Sequence, residues 1–174
     1  MGINAAVIGI GNLLLRDEGV GVHAIEALRE RFGKSLPEGL QLIDGGTMGL
    51  DLLPYVEVLD KLLIVDAANL NEPPGTIRVM EGDKVRRFLD TKFSVHQIGL
   101  PDMLFAAELQ DALPKEVCIV GIQPEVIETG LEMSDIILKN FDALLDAILK
   151  KLDQWGFQLE EMENTEYNVS GDTL

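Results

Sequence analysis

Short apolar runs closed by polar or glycine turns alternate along this chain with stretches whose apolar residues recur at helical spacing. That alternation restricts the fold more than any other feature. Parallel strands need a crossover between them, and the helices that supply it must cover the sheet. Ala5 to Gly11 reads as a first strand and Val20 to about Phe32 as a helix. Leu40 to Ile43 forms a second strand ending in Asp44-Gly45-Gly46; a weak helical stretch broken near Pro54 follows, then a third strand from Leu62 to Val65 ending in Asp66. Between Asp66 and the next strand, Thr76 to Met80, stands only Ala-Ala-Asn-Leu-Asn-Glu-Pro-Pro-Gly. This link is too short for a crossover of a dozen or more residues, so the fourth strand is predicted antiparallel and near an edge.

Beyond it the pattern predicts a helix from about Asp83 to Leu89, a loop carrying Phe93-Ser94-Val95-His96-Gln97, a helix over Asp102 to Gln110 and a fifth strand from Val117 to Ile122. A last helix runs from Ser134 as N-cap to Trp155, with Ile137, Phe141, Leu144, Leu145, Ile148, Leu152 and Trp155 on one core-facing stripe. Residues 1–157 thus read as a single α/β domain with a largely parallel sheet.

With 174 residues, 47% of them hydrophobic, the chain can bury one sizeable core. The formal charge of −16 opposes binding to nucleic acid or an anionic membrane. Residues 158–174 carry Glu160, Glu161, Glu163, Glu166 and Asp172 with no Lys or Arg, and read as a mobile acidic tail. The amino terminus has no basic n-region and no apolar stretch is long enough to span a bilayer, so a cytoplasmic location without membrane insertion is expected. The single cysteine, Cys118, lies in the run Val-Cys-Ile-Val and reads as a buried small hydrophobe rather than a nucleophile.

In sheets of this kind ligands bind beyond the carboxyl ends of the strands. Four reactive residues fall there: Glu18 after the first strand, Asp44 after the second, Asp66 after the third, and His96 in the loop before the fifth. Two carboxylates and an imidazole suit a borderline divalent ion such as nickel, zinc or iron, and three protein ligands leave coordination positions open. Each also has a structural reading. Asp17 and Glu18 precede a helix and could cap it, Asp17 the better of the two. Asp44 and Asp66 could satisfy turn amides, and His96 could be an ordinary loop residue. His23 shares a helix face with Glu26 and Glu30 and is expected to face solvent.

Other schemes are poorer. The serines at 35, 94, 134 and 170 include no Gly-x-Ser-x-Gly elbow, no His-Glu-x-x-His helix exists, and Ser94 beside His96 makes a weak dyad. Gly9-Ile10-Gly11 resembles the start of a dinucleotide fingerprint with Asp44 as ribose acceptor, but Leu14 stands at the third glycine position.

Several separated blocks, taken together, resemble the hydrogenase maturation endopeptidases that process the large subunits of nickel-iron hydrogenases. They are Gly9-Ile10-Gly11-Asn12 with Asp17-Glu18-Gly19-Val20-Gly21, Asp44-Gly45-Gly46-Thr47, Val65-Asp66-Ala67, His96-Gln97-Ile98-Gly99-Leu100 and Gly121-Ile122-Gln123-Pro124-Glu125, in the family's order, within residues 5 to 155. The resemblance implies a three-layer α/β/α sandwich of phosphorylase/hydrolase-like type with a mixed, mostly parallel five-stranded sheet. It places the family's metal-contacting residues on Glu18, Asp66 and His96, and its substrate-recognition aspartate on Asp44.

It further implies a nickel-dependent endopeptidase whose partner is the large-subunit precursor, from which it removes a C-terminal extension. The nickel is expected to be supplied by the precursor rather than held permanently. On these ligands Glu18, Asp66 and His96 are expected to converge in an exposed cleft. A non-enzymatic nickel-binding maturation chaperone would use the same site without hydrolysis, and a nucleotide-binding α/β protein is the remaining alternative.

Overall fold

The computed structural model describes residues 2–33, 35–91 and 100–160. The expectations for Ser94, His96 and the tail from Glu161 onward lie outside the described residues. Five strands, β1 (Ala5–Ile10), β2 (Leu40–Gly46), β3 (Lys61–Ala67), β4 (Ile77–Glu81) and β5 (Glu116–Ile122), form one sheet in the order β2-β1-β3-β5-β4. β2, β1, β3 and β5 are mutually parallel, and β4 runs antiparallel to β5 at the edge. The short link after Asp66 accounts for this reversal. It also extends the antiparallel pairing, because the Gly75 amide donates to the Gln123 carbonyl at 2.8 Å and the Gln123 amide to the Thr76 carbonyl at 2.8 Å.

Helices α1 (Val20–Phe32) and α5 (Asp135–Gln154) cover one face; α2 (Leu53–Val56), α3 (Asp83–Thr91) and α4 (Leu100–Leu109) cover the other. Alternate residues of the central strands serve the two cores. Val7, Leu63, Val65 and Val120 pack with Ile25, Leu28, Leu145 and Ile148, whereas Ile8, Ile64 and Ile119 pack with Leu52, Val56, Met103 and Leu104. Strands buried on both faces read as unbroken apolar runs, which is why they stand out in the sequence. All seven residues of the predicted α5 stripe belong to the first core, as buried members or packed against it.

Two helix boundaries differ from expectation because proline can begin a helix, where its missing N–H costs nothing. α4 already includes Leu100, two residues before the expected start, and Pro101 with it. Pro54 opens the single turn of α2 instead of breaking a helix, after a 3-10 turn at Gly49–Leu52. Residues 158–160, grouped with the tail by composition, remain docked: Leu159 packs on the first core and the Glu160 carbonyl accepts the Ser35 hydroxyl at 3.0 Å. Among the described residues no helix is long and apolar enough to cross a membrane.

The seat of α1 on the sheet depends on two glycines. A Cβ on Gly9 would lie 2.0 Å from the Gly21 carbonyl oxygen, and one on Gly21 would lie 2.3 Å from the carbonyl oxygens of both Ile10 and Val65. Backbone therefore meets backbone where the helix begins. Gly9→Ala is expected to destabilise the fold by about 3 kcal/mol or more, at the upper end of overpacking costs, because the obstacle is main chain. Urea denaturation of the variant checks this, and a midpoint unchanged from wild type contradicts it.

Candidate functional site

β1 connects to β2 through α1 on one face, and β2 connects to β3 through α2 on the other. Since β2 and β3 flank β1, the connections diverge at the carboxyl ends of β1 and β3, where an open α/β sheet leaves its crevice. Glu18 and Asp66 stand at those two ends. After β1, Gly11 takes φ 140° and the chain folds back over the strand end; a Cβ there would lie 1.8 Å from the Glu18 carbonyl oxygen. Glu18 sits in the resulting 3-10 turn, Arg16–Gly19, which packs against β3. Asp66 lies one residue beyond Val65, the register partner of Gly9. Both side chains are covered, with Glu18 7% and Asp66 2% exposed, rather than lying in the exposed cleft expected. The turn that carries Glu18 packs on β3, and the chain reaches it through the Gly11 reversal.

Asp44 is set apart from this pair. It registers with Gly9 on β2, so β1 stands between it and Asp66, roughly 10 Å or two strand spacings away. Alternation also directs Asp44 to the α1 side of the sheet, whereas Asp66 shares the α4 side with Ile64. Asp44 is exposed. His96 lies outside the described residues. Leu100, four positions later, is buried in the core on the same side as Asp66. Among the described residues no three His, Cys, Asp or Glu side chains form a metal-holding group, so the two carboxylates are the described part of the expected set. His23 faces Glu26, its Nδ1 3.2 Å from the Glu26 Oε2.

Asp17 does not cap α1. The N-cap is Gly19, with no side-chain cap bond, and the Asp17 carboxylate, fully buried, points instead to the segment before α5. It accepts the amides of Glu125 and Val126, each at 2.9 Å, and the amide and hydroxyl of Ser134 at 2.6 and 2.8 Å. Ser134 is the N-cap of α5, as its position in the sequence suggested, but its hydroxyl serves Asp17 rather than its own helix. Burial raises the Asp17 pKa, and the bonds from the Ser134 amide, the Val126 amide, the Ser134 hydroxyl and the Glu125 amide outweigh it, leaving the carboxyl below its usual value.

Gln123 makes a second long-range tie that sequence reasoning left without a role, its Oε1 accepting the Leu70 amide at 2.7 Å in the loop after Asp66. One sequence signal was present for Asp17. Gly19 is itself an acceptable cap directly before the helix, which leaves an aspartate two residues earlier without that duty.

The competing chemistries lose support in three dimensions. Where a dinucleotide's phosphates would meet the start of α1, the chain places the acidic pair Asp17 and Glu18, both buried. Cys118 is buried in the sheet, with its thiol pushed up to about 12 by burial and by the charge of Glu81. A cavity of about 970 Å³, lined by Val85, Leu89, Leu104, Phe105 and Trp155 among other described residues, is not lined by Glu18, Asp44 or Asp66.

The sequence model of the hydrogenase maturation protease family matches residues 22–151. The chain belongs to that family. It is similar to the hydrogenase 2 maturation protease of Escherichia coli, 34% identical over 153 residues that cover 87% of this chain and 92% of that protein. It is also 42% identical over 126 residues to the hydrogenase expression/formation protein HoxM of Azotobacter vinelandii, covering 72% of this chain and 60% of the relative. HupM of Azotobacter chroococcum is covered to 59%, so the chain spans about three fifths of these two relatives. Among solved structures, the hydrogenase maturating endopeptidase HybD of E. coli superposes with a TM-score of 0.85 at 32% identity, over 91% of this chain and 98% of that one. The fold of this chain is thus a five-stranded mixed sheet between two helical layers, as the resemblance implied. The matched span 22–151 holds Asp44, Asp66 and His96, with Glu18 four residues before it.

Two outcomes follow for the buried side chains of Asp17 and Cys118. Because its folded pKa is depressed, Asp17 contributes stability that is complete above the unfolded carboxylate value of about 3.9 and is lost as pH falls through the lower folded value. The stability difference between wild type and Asp17→Asn, from urea denaturation, is therefore full at neutral pH and shrinks below about pH 4. A difference constant into strong acid contradicts the assignment. Cys118, in turn, should resist thiol reagents in the native protein and react only on unfolding, as a labelling time course in urea will report.

Proposed function

We propose that this chain is an endopeptidase that removes a C-terminal extension from the large-subunit precursor of a nickel-iron hydrogenase. Glu18, Asp66 and His96 contact nickel carried by that precursor, and Asp44 contacts the segment to be cut. The observation that carries this reading is the pair of buried carboxylates at the divergence point of β1 and β3, in a chain of the hydrogenase maturation protease family. Oxygen donors of this kind suit a divalent ion, and a neutral imidazole would complete a three-residue set with open positions.

A substrate-borne metal of this kind supplies Lewis acidity and an anchoring point for the segment around the scissile bond. The chain's own residues do the remaining work. Glu18 and Asp66 are largely withdrawn from bulk water, and their carboxylate oxygens are acceptors there for a proton of an attacking water. Asp44, exposed on the far side of β1, is free to meet a peptide lying across the strand ends, which agrees with a recognition role separate from metal contact. Leu14, Met48, Leu50, Ile127 and Leu131 are exposed on the loops around these ends, and the bond from the Gly130 amide to the Leu14 carbonyl at 2.9 Å brings Leu14 beside Leu131. Apolar residues gathered on such a rim fit a protein substrate better than a small polar one. The requirement for a metal bridge would let the enzyme refuse a precursor that has not been loaded, since binding and orientation would be supplied together.

The purified protein is expected to shorten a nickel-loaded large-subunit precursor near its carboxyl end and to leave nickel-free precursor intact, read by mass spectrometry. His96→Ala and Asp66→Asn should each slow the cut by about 100-fold or more, the scale of a misplaced reacting group. Binding of loaded precursor without any cleavage would favour a nickel-binding chaperone. Efficient cutting of verified nickel-free precursor would overturn the metal-recognition mechanism.

A further inference from the structure

We propose that Asp17 is a positioning residue: by clamping the segment 125–134 it holds the 3-10 turn that presents Glu18 at the strand ends. The inference rests on reading Glu18 as a site residue. Its geometry stands independently.

Glu18 is carried by a four-residue turn that follows a loop with no regular structure, and such a turn has little internal rigidity. Its own ladder includes the Glu18 amide to the Leu15 carbonyl at 3.3 Å, a long bond, and the Val20 amide to the Asp17 carbonyl. Further bonds to the turn come from across the chain. The Arg16 amide donates to the Gly130 carbonyl at 3.0 Å, and the Asp17 amide to the Val126 carbonyl at 3.3 Å. The Arg16 side chain reaches the Glu132 carbonyl at 3.0 Å and the Glu128 carboxylate at 2.8 Å. Arg16 takes φ 53° to do so, a left-handed conformation that a non-glycine residue adopts only where surroundings compel it. At the centre of this lattice the Asp17 carboxylate gathers four donors, from Glu125, Val126 and twice from Ser134.

Two physical points turn this lattice into a positioning device for Glu18. In a 3-10 turn successive side chains are about 120° apart, so a turn that aims Asp17 into the 125–134 segment aims Glu18 away from it. The packing of the same turn on β3 then directs Glu18 toward the strand ends. Second, the clamp needs an acceptor with no hydrogen of its own. A carboxylate has about four acceptor sites and no donor, whereas an amide in the same shape would turn an NH2 toward some of these donors. Asp17→Asn therefore keeps the volume and breaks the clamp.

The test is amide hydrogen exchange by NMR on the full chain, with Asp17→Asn and, as a milder change that removes one of the four bonds, Ser134→Ala. In Asp17→Asn the amides of Arg16, Asp17 and Glu18 and that of Gly130 should exchange at least ~10-fold faster, while those of β1 and β3 keep their protection. Ser134→Ala should accelerate the same set by about threefold, and it decides the matter if the Asn variant does not fold. Acceleration confined to 125–134, with the Glu18 amide within about twofold of wild type, would overturn the proposal, since Asp17 would then anchor only the start of α5.

Processing of loaded precursor supplies the second readout, with kcat expected to fall at least ~10-fold in the Asn variant. Wild type that cuts while the variant keeps the same kcat overturns this inference and leaves the proposed function standing. Wild type that does not cut strikes the proposed function, and the exchange result then decides this inference alone.

Discussion

The contact on which the rest of this structure depends is the meeting of two backbones at Gly9 and Gly21. A helix that follows its strand normally stands off by the thickness of a side chain. Here the first turn of α1 rests on the carbonyls of Ile10 and Val65, and either residue with a Cβ would push it away. Because the helix starts so close to the sheet, the nine residues between β1 and α1 have no room behind the strand end and must pass over it. Gly11 makes the reversal with a positive φ, and the turn bearing Asp17 and Glu18 comes to lie across the crevice between β1 and β3. The seating of one helix thus decides where an acidic pair is buried.

Burial of such a pair is costly unless each charge is answered. For Asp17 the answer is visible: four hydrogen bonds from one segment, strong enough to lower its pKa despite full burial. Those bonds join the first sequence block to the last, since Glu125 closes Gly121-Ile122-Gln123-Pro124-Glu125. Gln123 of the same block is tied to Leu70, just after the block containing Asp66. Blocks that look independent in the chain are in this way one framework around the strand ends, and their spacing reflects which loops must touch.

The opposite end of the sheet is organised by different means. Trp155 lies where α5 finishes, with Lys61 and Lys151 at 5.5 and 5.2 Å from its ring and its Nε1 bonded to Glu116 at 2.9 Å. Glu116 also pairs with Lys61, which links the first residues of β3 and β5 to the end of the last helix. Cation–ring and ion-pair contacts here close the base of the sheet. The loops at the other end are thereby left free to vary around a rigid support.

Most of the fold was legible in the chain because its central strands are buried on both faces and its helices on one, so each leaves an apolar run of its own period. The antiparallel edge strand could be deduced from the length of a single link. What could not be read was any relation between residues far apart in sequence. Nothing in Asp17 and its neighbours distinguishes a helix cap from a clamp on Ser134, 117 positions away, since both need a carboxylate before a helix. Nor does the order of Asp44 and Asp66 reveal that β1 intervenes and that they face opposite sides of the sheet.

The sequence by itself determined the strands and helices, the reversal of β4, and a set of motifs that belong to one family. Only the tertiary structure decided which acidic residues lie together, which is buried and which exposed, and what each is bonded to. The physical reason is that period and composition are local properties of the chain, whereas the environment of a charge is made by whichever distant segments the packed sheet brings against it.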